Sequence, residues 1–345
     1  MIDFQCDYAE GCHPAILEKL TQTNFEQTPG YENDSYCASA GEKIRTACKR
    51  SDADVYFISG GTQTNLTVIS SILRQYQGAL TADTGHIACH ETGAIEATGH
   101  KVLTLPSSDG TISAAQVRAY CKSHFESDIK EHCVQPGMVY ISFPAENGVL
   151  YSKAKLTELS NACREWHIPL YLDGARLGYG LMSPQNDLSL PDIAQLCDVF
   201  YIGGTKCGAL FGEAVVITAD YLKKDFRYAM KQRGSLFAKG RILGIQFDVL
   251  FEGTRYFDIC KAAVTYALEI RKAFEKKGIP LYGNSFTNQQ FPILTDEQLR
   301  YFDRNYRYEI WEKIDKDHTV VRFATSWATR KESVDALIGD ILSME

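Results

Sequence analysis

The sequence predicts an α/β fold: a mostly parallel sheet sandwiched by helices, with a smaller α+β domain at the C-terminal end. Three observations carry this expectation. Between residues 54 and 218, short apolar runs alternate with helix-like runs, the pattern of a parallel sheet covered on both faces. After about residue 235 the alternation gives way to a long helical stretch with breaks, then strands and helices in mixed order. The length, 345 residues at 45% hydrophobic composition, suits one large and one small soluble domain.

In order, DVYFISG (54–60) reads as a strand and TNLTVISSILRQY as an amphipathic helix. ALTAD (79–83) is strand-like, and HETGAIEATG (90–99) is expected to continue as a helix. KVLTLP, MVYISFP, PLYLD, DVFYIGG and GEAVVITA are further strands. SAAQVRAYCKSHFES, KAKLTELSNACREW and DIAQLCD are helices between them. Beyond GRILGIQF, the segments DEQLRYFDRN, YEIWEKI, TVVRFATSW and a terminal helix form the smaller domain. Each strand is short and rich in β-branched or aromatic residues, and each helical run carries apolar residues three and four apart.

A net charge of -7 argues against a general nucleic-acid or anionic-membrane binder, since both need a basic face. No apolar run approaches the roughly 20 residues of a membrane span. MIDFQCDYAEGCHPAIL has acidic residues and no basic stretch before an apolar one, so it does not read as a signal peptide. Eleven cysteines occur without a C-x-x-C pair. They read as small hydrophobes in a reducing, cytoplasmic setting.

Lys206 ends a strand-like run inside a glycine-flanked turn, YIGGTKCGAL. A lysine amine is a nucleophile only when deprotonated, which burial or neighbouring cations favour. Asp173 ends PLYLD, 33 residues earlier, room for one crossover helix and one strand. Both therefore fall at carboxyl ends of strands, where open α/β sheets bind ligands. An amine for an aldehyde and a carboxylate for a pyridine nitrogen are what pyridoxal phosphate requires. SGGTQTN (59–65) offers a strand-to-helix turn for its phosphate, with Gly61 open to close approach and Thr62 at the positive helix end. The simpler reading of that turn is an N-cap by Thr62 or Thr64. His86 can stack on a ring and move protons. His90, four residues on, would share its helical face, but HIACHE lacks the zincin glutamate and a third ligand, so no metal is expected. Arg176 in DGARLG and Arg322 in TVVRFATSW could hold an amino-acid carboxylate between the two domains.

SGGTQTN, H-x-x-x-H-E-T-G-A-I-E-A-T-G-H-K-V, YLDGARL, GGTK, KQRGSLFAKGRILGIQF, NQQFPIL and VRFATSW follow one another in this order. Nearly end to end, the ordered set resembles the threonine aldolases of the β-eliminating lyase group, pyridoxal-phosphate enzymes of the aspartate-aminotransferase fold. The resemblance implies that Lys206 binds the cofactor aldehyde and Asp173 pairs with its ring nitrogen. It implies that His86 stacks on the ring, Gly61 and Thr62 hold the phosphate, and Arg176 and Arg322 bind the substrate carboxylate. It also implies a homodimer or homotetramer with sites at the subunit interface, built in part by GYENDSYC (30–37). Lys231, Arg233 or Lys239 could then reach a neighbouring subunit's phosphate. With the change of texture, this divides the chain into an N-terminal segment contributing to the active site (1–20), a large domain (21–245) and a small domain (246–345). Two departures stand on the substrate side: Cys6 where the family usually has serine, and Glu146 where many relatives have histidine.

The expected reaction is cleavage of the Cα–Cβ bond of L-threonine or L-allo-threonine to glycine and acetaldehyde. β-Elimination and transamination on another amino acid use the same cofactor contacts, and a non-catalytic binding protein would retain the same fold.

Overall fold

The computed structural model describes residues 1–344. Its central sheet has seven strands in the order Asp54–Ile58, Glu213–Ile217, Val199–Gly203, Leu170–Asp173, Gln135–Ser142, Gln77–Ala82 and Lys101–Leu105. Glu213–Ile217 runs antiparallel to both its neighbours, and the other pairings are parallel. The inner strands are buried along their length, as a sheet covered on both faces requires. Two cores result. One packs Phe57, Leu80, Val139, Leu172 and Phe200 under the helical layer that includes Ser35–Cys48 and Arg241–Leu250. The other packs Ile58, Val68, Tyr140, Tyr171 and Tyr201 under Gly61–Ile72.

The chain runs outward from Gln77–Ala82 to Lys101–Leu105, then returns past the first of these to Gln135–Ser142. That reversal opens a crevice beyond the carboxyl ends of the strands, and Asp173, His86 and the Lys206 turn all follow such ends.

The small sheet is antiparallel, Ile293–Thr295, His318–Ala324, Glu309–Lys313, with Gln289–Gln290 also paired to His318–Ala324. Its core joins Ile270 and Phe274 of helix Arg255–Lys277 to Val321, Phe323, Leu337 and Ile341. Phe4 belongs to this core as well. Ile2–Asp3 pairs in parallel with Tyr306–Arg307, and Ala324 N donates to Phe4 O at 2.8 Å. Residues 2–4 therefore pack with the small domain, Ile2–Asp3 in a two-stranded sheet of its own, before the chain crosses to the large one.

The helix expected over HETGAIEATG does not form. A single turn, His86–Cys89, is followed by turns and a 3-10 segment at Glu96–Thr98. Thr92, Gly93 and Gly99 have φ of 53°, 73° and 91°, left-handed values that no continuous α-helix accommodates. Among the described residues no helix is long and apolar enough to cross a membrane.

Candidate active site

Three adjacent strands each carry a buried tyrosine: Tyr140, Tyr171 and Tyr201. Tyr140 and Tyr171 are register partners. All three side chains are buried, and burial pushes each phenol well above its ordinary pKa. They stay neutral donors. Tyr140 and Tyr201 each donate to Asp173 at 2.5 Å. Asn65 Nδ2 donates at 3.0 Å and the Ala175 amide at 3.0 Å. Asn65 is held in turn by Tyr171, whose hydroxyl donates to its Oδ1 at 2.7 Å. Burial works to raise the Asp173 pKa. The nearby His86 and the Tyr140, Tyr201 and Asn65 hydrogen bonds outweigh it, so Asp173 lies below the ordinary carboxylate value. It is a 3% exposed aspartate that remains ionised, which only a fully hydrogen-bonded setting permits.

Lys206 stands within reach of its charge. Burial, then the Arg176 cation, lower its pKa below the ordinary lysine value, against the pull of Asp7, Glu146 and Asp173. Its Nζ stands 6.0 Å from the centre of the Tyr8 ring. Glu213 holds the turn that presents it. Its carboxylate accepts from the Gly204 amide at 2.9 Å and from Thr205 Oγ1 at 2.8 Å.

His86 Nδ1 is 2.9 Å from Glu91 Oε1, and the same oxygen accepts from Asn65 at 2.7 Å. Burial acts to lower the His86 pKa. The Glu91 hydrogen bond and the Glu146 and Asp173 charges overcome it, and the ring sits above the ordinary histidine value. The His90 ring is 5.6 Å from the His86 ring. Among the described residues no group of three or more His, Cys, Asp or Glu side chains could hold a metal ion.

Neither threonine caps helix Gly61–Ile72. The N-cap is Gly60 with no side-chain hydrogen bond, and Thr64 Oγ1 instead donates back to Gly60 O at 2.9 Å. The first amides of a 12-residue helix are left without a side-chain partner, which suits an anion. A Cβ at Gly61 would stand 3.2 Å from the Tyr201 hydroxyl, and Thr62 is exposed beside it.

The two arginines converge but neither is free. Arg176 Nε and Nη2 donate to Asp7 at 2.7 and 3.0 Å, and its Nη1 is 4.0 Å from Glu146. Asp7 also accepts from Asn288 at 2.9 Å. Arg322 Nη1 donates to Gln289 Oε1 at 3.0 Å and Nη2 to Gln5 O at 3.2 Å, while Glu309 closes on Nη2. Cys6 is half-buried. Burial first, then the neighbouring Asp7 and Asp3 charges, raise its thiol pKa, against the Tyr8 backbone hydrogen bond and Arg322.

Of the sequence-predicted residues, Arg176 and Asp173 act on the Lys206 charge, His86 on Asp173, and Arg322 on Cys6, while Gly61 and Thr62 open the helix whose Asn65 reaches Asp173. Asn65, Glu91, the three tyrosines, Glu213 and Asn288 were missed. Their signal was positional: Asn65 lies one helical turn after Gly61, and a tyrosine recurs in each of three neighbouring strands.

The sequence profile of the family described as beta-eliminating lyase matches residues 3–281, most of the chain. The chain belongs to this family. It is a pyridoxal-phosphate-dependent lyase in kind, on the mostly parallel, helix-sandwiched sheet and small antiparallel domain that such enzymes share. A low specificity L-threonine aldolase from Pseudomonas sp. (strain NCIMB 10558) is 27% identical over 98% of this chain and 96% of its own. A second, from Pseudomonas aeruginosa, is 28% identical over the same shares. The solved threonine aldolase of Leishmania major is 42% identical, with a TM-score of 0.96 over 99% of this chain and 98% of that one. A threonine aldolase-like lyase is what these relatives have in common with it.

Proposed function

We propose that the enzyme is an aldolase that cleaves the Cα–Cβ bond of L-threonine or L-allo-threonine to glycine and acetaldehyde, with pyridoxal 5'-phosphate held in the crevice. The residues fit that cofactor. An ionised, buried Asp173 suits a protonated ring nitrogen, the uncapped start of helix Gly61–Ile72 suits its phosphate, and the desolvated Lys206 suits its aldehyde. On this reading His86 would cover the ring, and Gly61 and Thr62 would hold the phosphate. When bound, the cofactor supplies an electron sink for the charge that develops at Cα.

The chain's own groups do the rest. Arg176 and Arg322 orient the substrate carboxylate, with Cys6 beside them. Arg322 does so by exchanging Glu309 for the substrate, since Glu309 is the exposed partner, its side chain 41% open to solvent. Arg176 keeps Asp7 and offers Nη1. Orientation selects which bond at Cα is broken. His86, or a water it positions, takes the proton of the β-hydroxyl. Glu91 holds His86 at Nδ1 and leaves Nε2 for that proton. Lys206 would hold the cofactor's aldehyde carbon, and the glycines flanking its turn leave the side chain room to move.

The same reading makes the enzyme a cytoplasmic homodimer or homotetramer with sites at the subunit interface. Tyr31 within the 30–37 segment is 42% exposed and Phe25 just before it 93%, and a second copy would cover them. It also divides the chain into the segment 1–20, a large domain 21–245 and a small domain 246–345. The observation that carries the proposal is the pairing of an ionised, four-donor Asp173 with a desolvated Lys206. The test is Lys206→Ala. The variant is expected to lose the visible absorption of lysine-bound cofactor and to release acetaldehyde from threonine at least about 10³-fold more slowly. Wild-type rates in the variant would refute the assignment.

A further inference from the structure

A separate cavity of about 430 Å³ opens beside the crevice. Trp311, Ile310 and Tyr282 of the small domain form one wall, and His90, Asn147 and Glu146 the other, with Glu309 at the rim. Three contacts fix its place next to the reacting centre. Glu146 is 4.0 Å from Arg176 Nη1. The His90 ring is 5.6 Å from that of His86. Glu309 closes on Arg322, whose guanidinium is 5.8 Å from the Trp311 ring centre.

The wall is built by an irregularity in the strand. Pairing of Glu309–Lys313 with His318–Ala324 slips between Ile310 and Glu312, leaving Trp311 as the extra residue. Consecutive strand residues ordinarily point to opposite faces. The bulge instead lets Ile310 and Trp311 both line the cavity. Threonine offers this space one methyl, roughly the 30 Å³ of a water molecule, and most of the volume would stay empty.

The charges decide what else fits. Among the described residues neither lysine nor arginine lines the cavity. A substrate carboxylate that takes Arg322 frees Glu309. Glu146 and Glu309 then share the cavity wall with the indole of Trp311, and two carboxylates beside an aromatic ring favour a cation and oppose an anion.

We infer that this cavity receives the β-substituent of a longer β-hydroxy-α-amino acid ending in a cationic group, with Glu309 passing from Arg322 to that cation. This rests on the aldolase reading above. The test is a series of matched length on cofactor-loaded enzyme: 3-hydroxylysine, 3-hydroxynorleucine and 3-hydroxy-2-aminoadipate, with threonine as reference. Cleavage efficiency, kcat/KM, is expected to fall from cation to neutral to anion, on the order of tenfold between the ends. Ile310→Lys, an exposed substitution at the cavity wall, is expected to reverse the order and leave threonine cleavage unchanged. Calorimetric dissociation constants for lysine, norleucine and 2-aminoadipate should follow the wild-type order. Efficiencies equal within about twofold, or an anionic preference, with threonine still cleaved, would overturn the cavity assignment and leave the aldolase standing. If threonine is not cleaved, the aldolase reading fails, and the calorimetric order alone upholds or overturns the cavity's preference for a cation.

Discussion

Asp173 accepts from two phenols, an amide side chain and a backbone amide, so its charge is retained without a cation in hydrogen-bond contact. Asp173→Asn keeps the shape and removes that charge. Aldol cleavage is expected to fall at least about hundredfold, with the far-ultraviolet spectrum unchanged. Asn65 is the residue that ties this carboxylate to Glu91 and Tyr171. Asn65→Ala leaves several buried groups without partners, and urea unfolding should show a loss of about 2–4 kcal/mol. Asp173 and Lys206 were legible in the sequence because each stands at the end of an apolar run. Asn65 was not, because an asparagine in the first turns of a helix has many ordinary uses. The fates of Arg176 and Arg322 were illegible for another reason: Asp7 lies 169 residues from Arg176, and Glu309 meets Arg322 only through the register of two paired strands.

The Lys206 turn shows how an element can be tuned from beneath. Glu213, on the antiparallel strand, accepts two of the turn's hydrogen bonds. Burial raises its pKa to about 7 from an ordinary 4.5, against the Thr205 and Gly204 hydrogen bonds and the Lys206 charge, and with Asp173 adding to the rise. A raised carboxyl binds its proton more tightly in the folded state. Its contribution to stability is therefore complete below about pH 4.5 and is lost as pH rises through about 7. The separation corresponds to a contribution on the order of 3 kcal/mol. Glu213→Gln should flatten the fall in unfolding free energy across that window. Glu32, also raised to about 7 by burial, remains in both proteins and sets the residual slope. Strands were readable at this scale from their β-branched and aromatic runs. The 90–99 segment was not, because the left-handed values at Thr92 and Gly93 arise from the turn behind His86 rather than from composition.

Across the whole molecule, the N-terminal residues join what the sheets divide. Phe4 lies in the small-domain core, and three residues later Asp7 grips Arg176 of the large domain. Burial opposes the Asp7 charge, but Arg176 and Lys206 hold its pKa well below the usual carboxylate range. That contribution is present above the ordinary aspartate value and is lost only in strong acid. Asp7→Ala should cost about 3–5 kcal/mol by stranding a buried guanidinium. It should also blunt carboxylate binding, seen as a raised KM. The sandwich and the smaller domain were legible from the alternation of elements. The crossing of residues 1–8 was not, since a two-residue strand leaves no periodicity to read.

Which bond of threonine breaks separates an aldolase from an eliminating lyase. The deciding measurement is the product balance from L-threonine under cofactor-loaded, wild-type enzyme. Glycine and acetaldehyde in equal amounts, without ammonia, is the result predicted here. Ammonia with a 2-oxo acid, and no acetaldehyde, would contradict it and assign the same site to elimination.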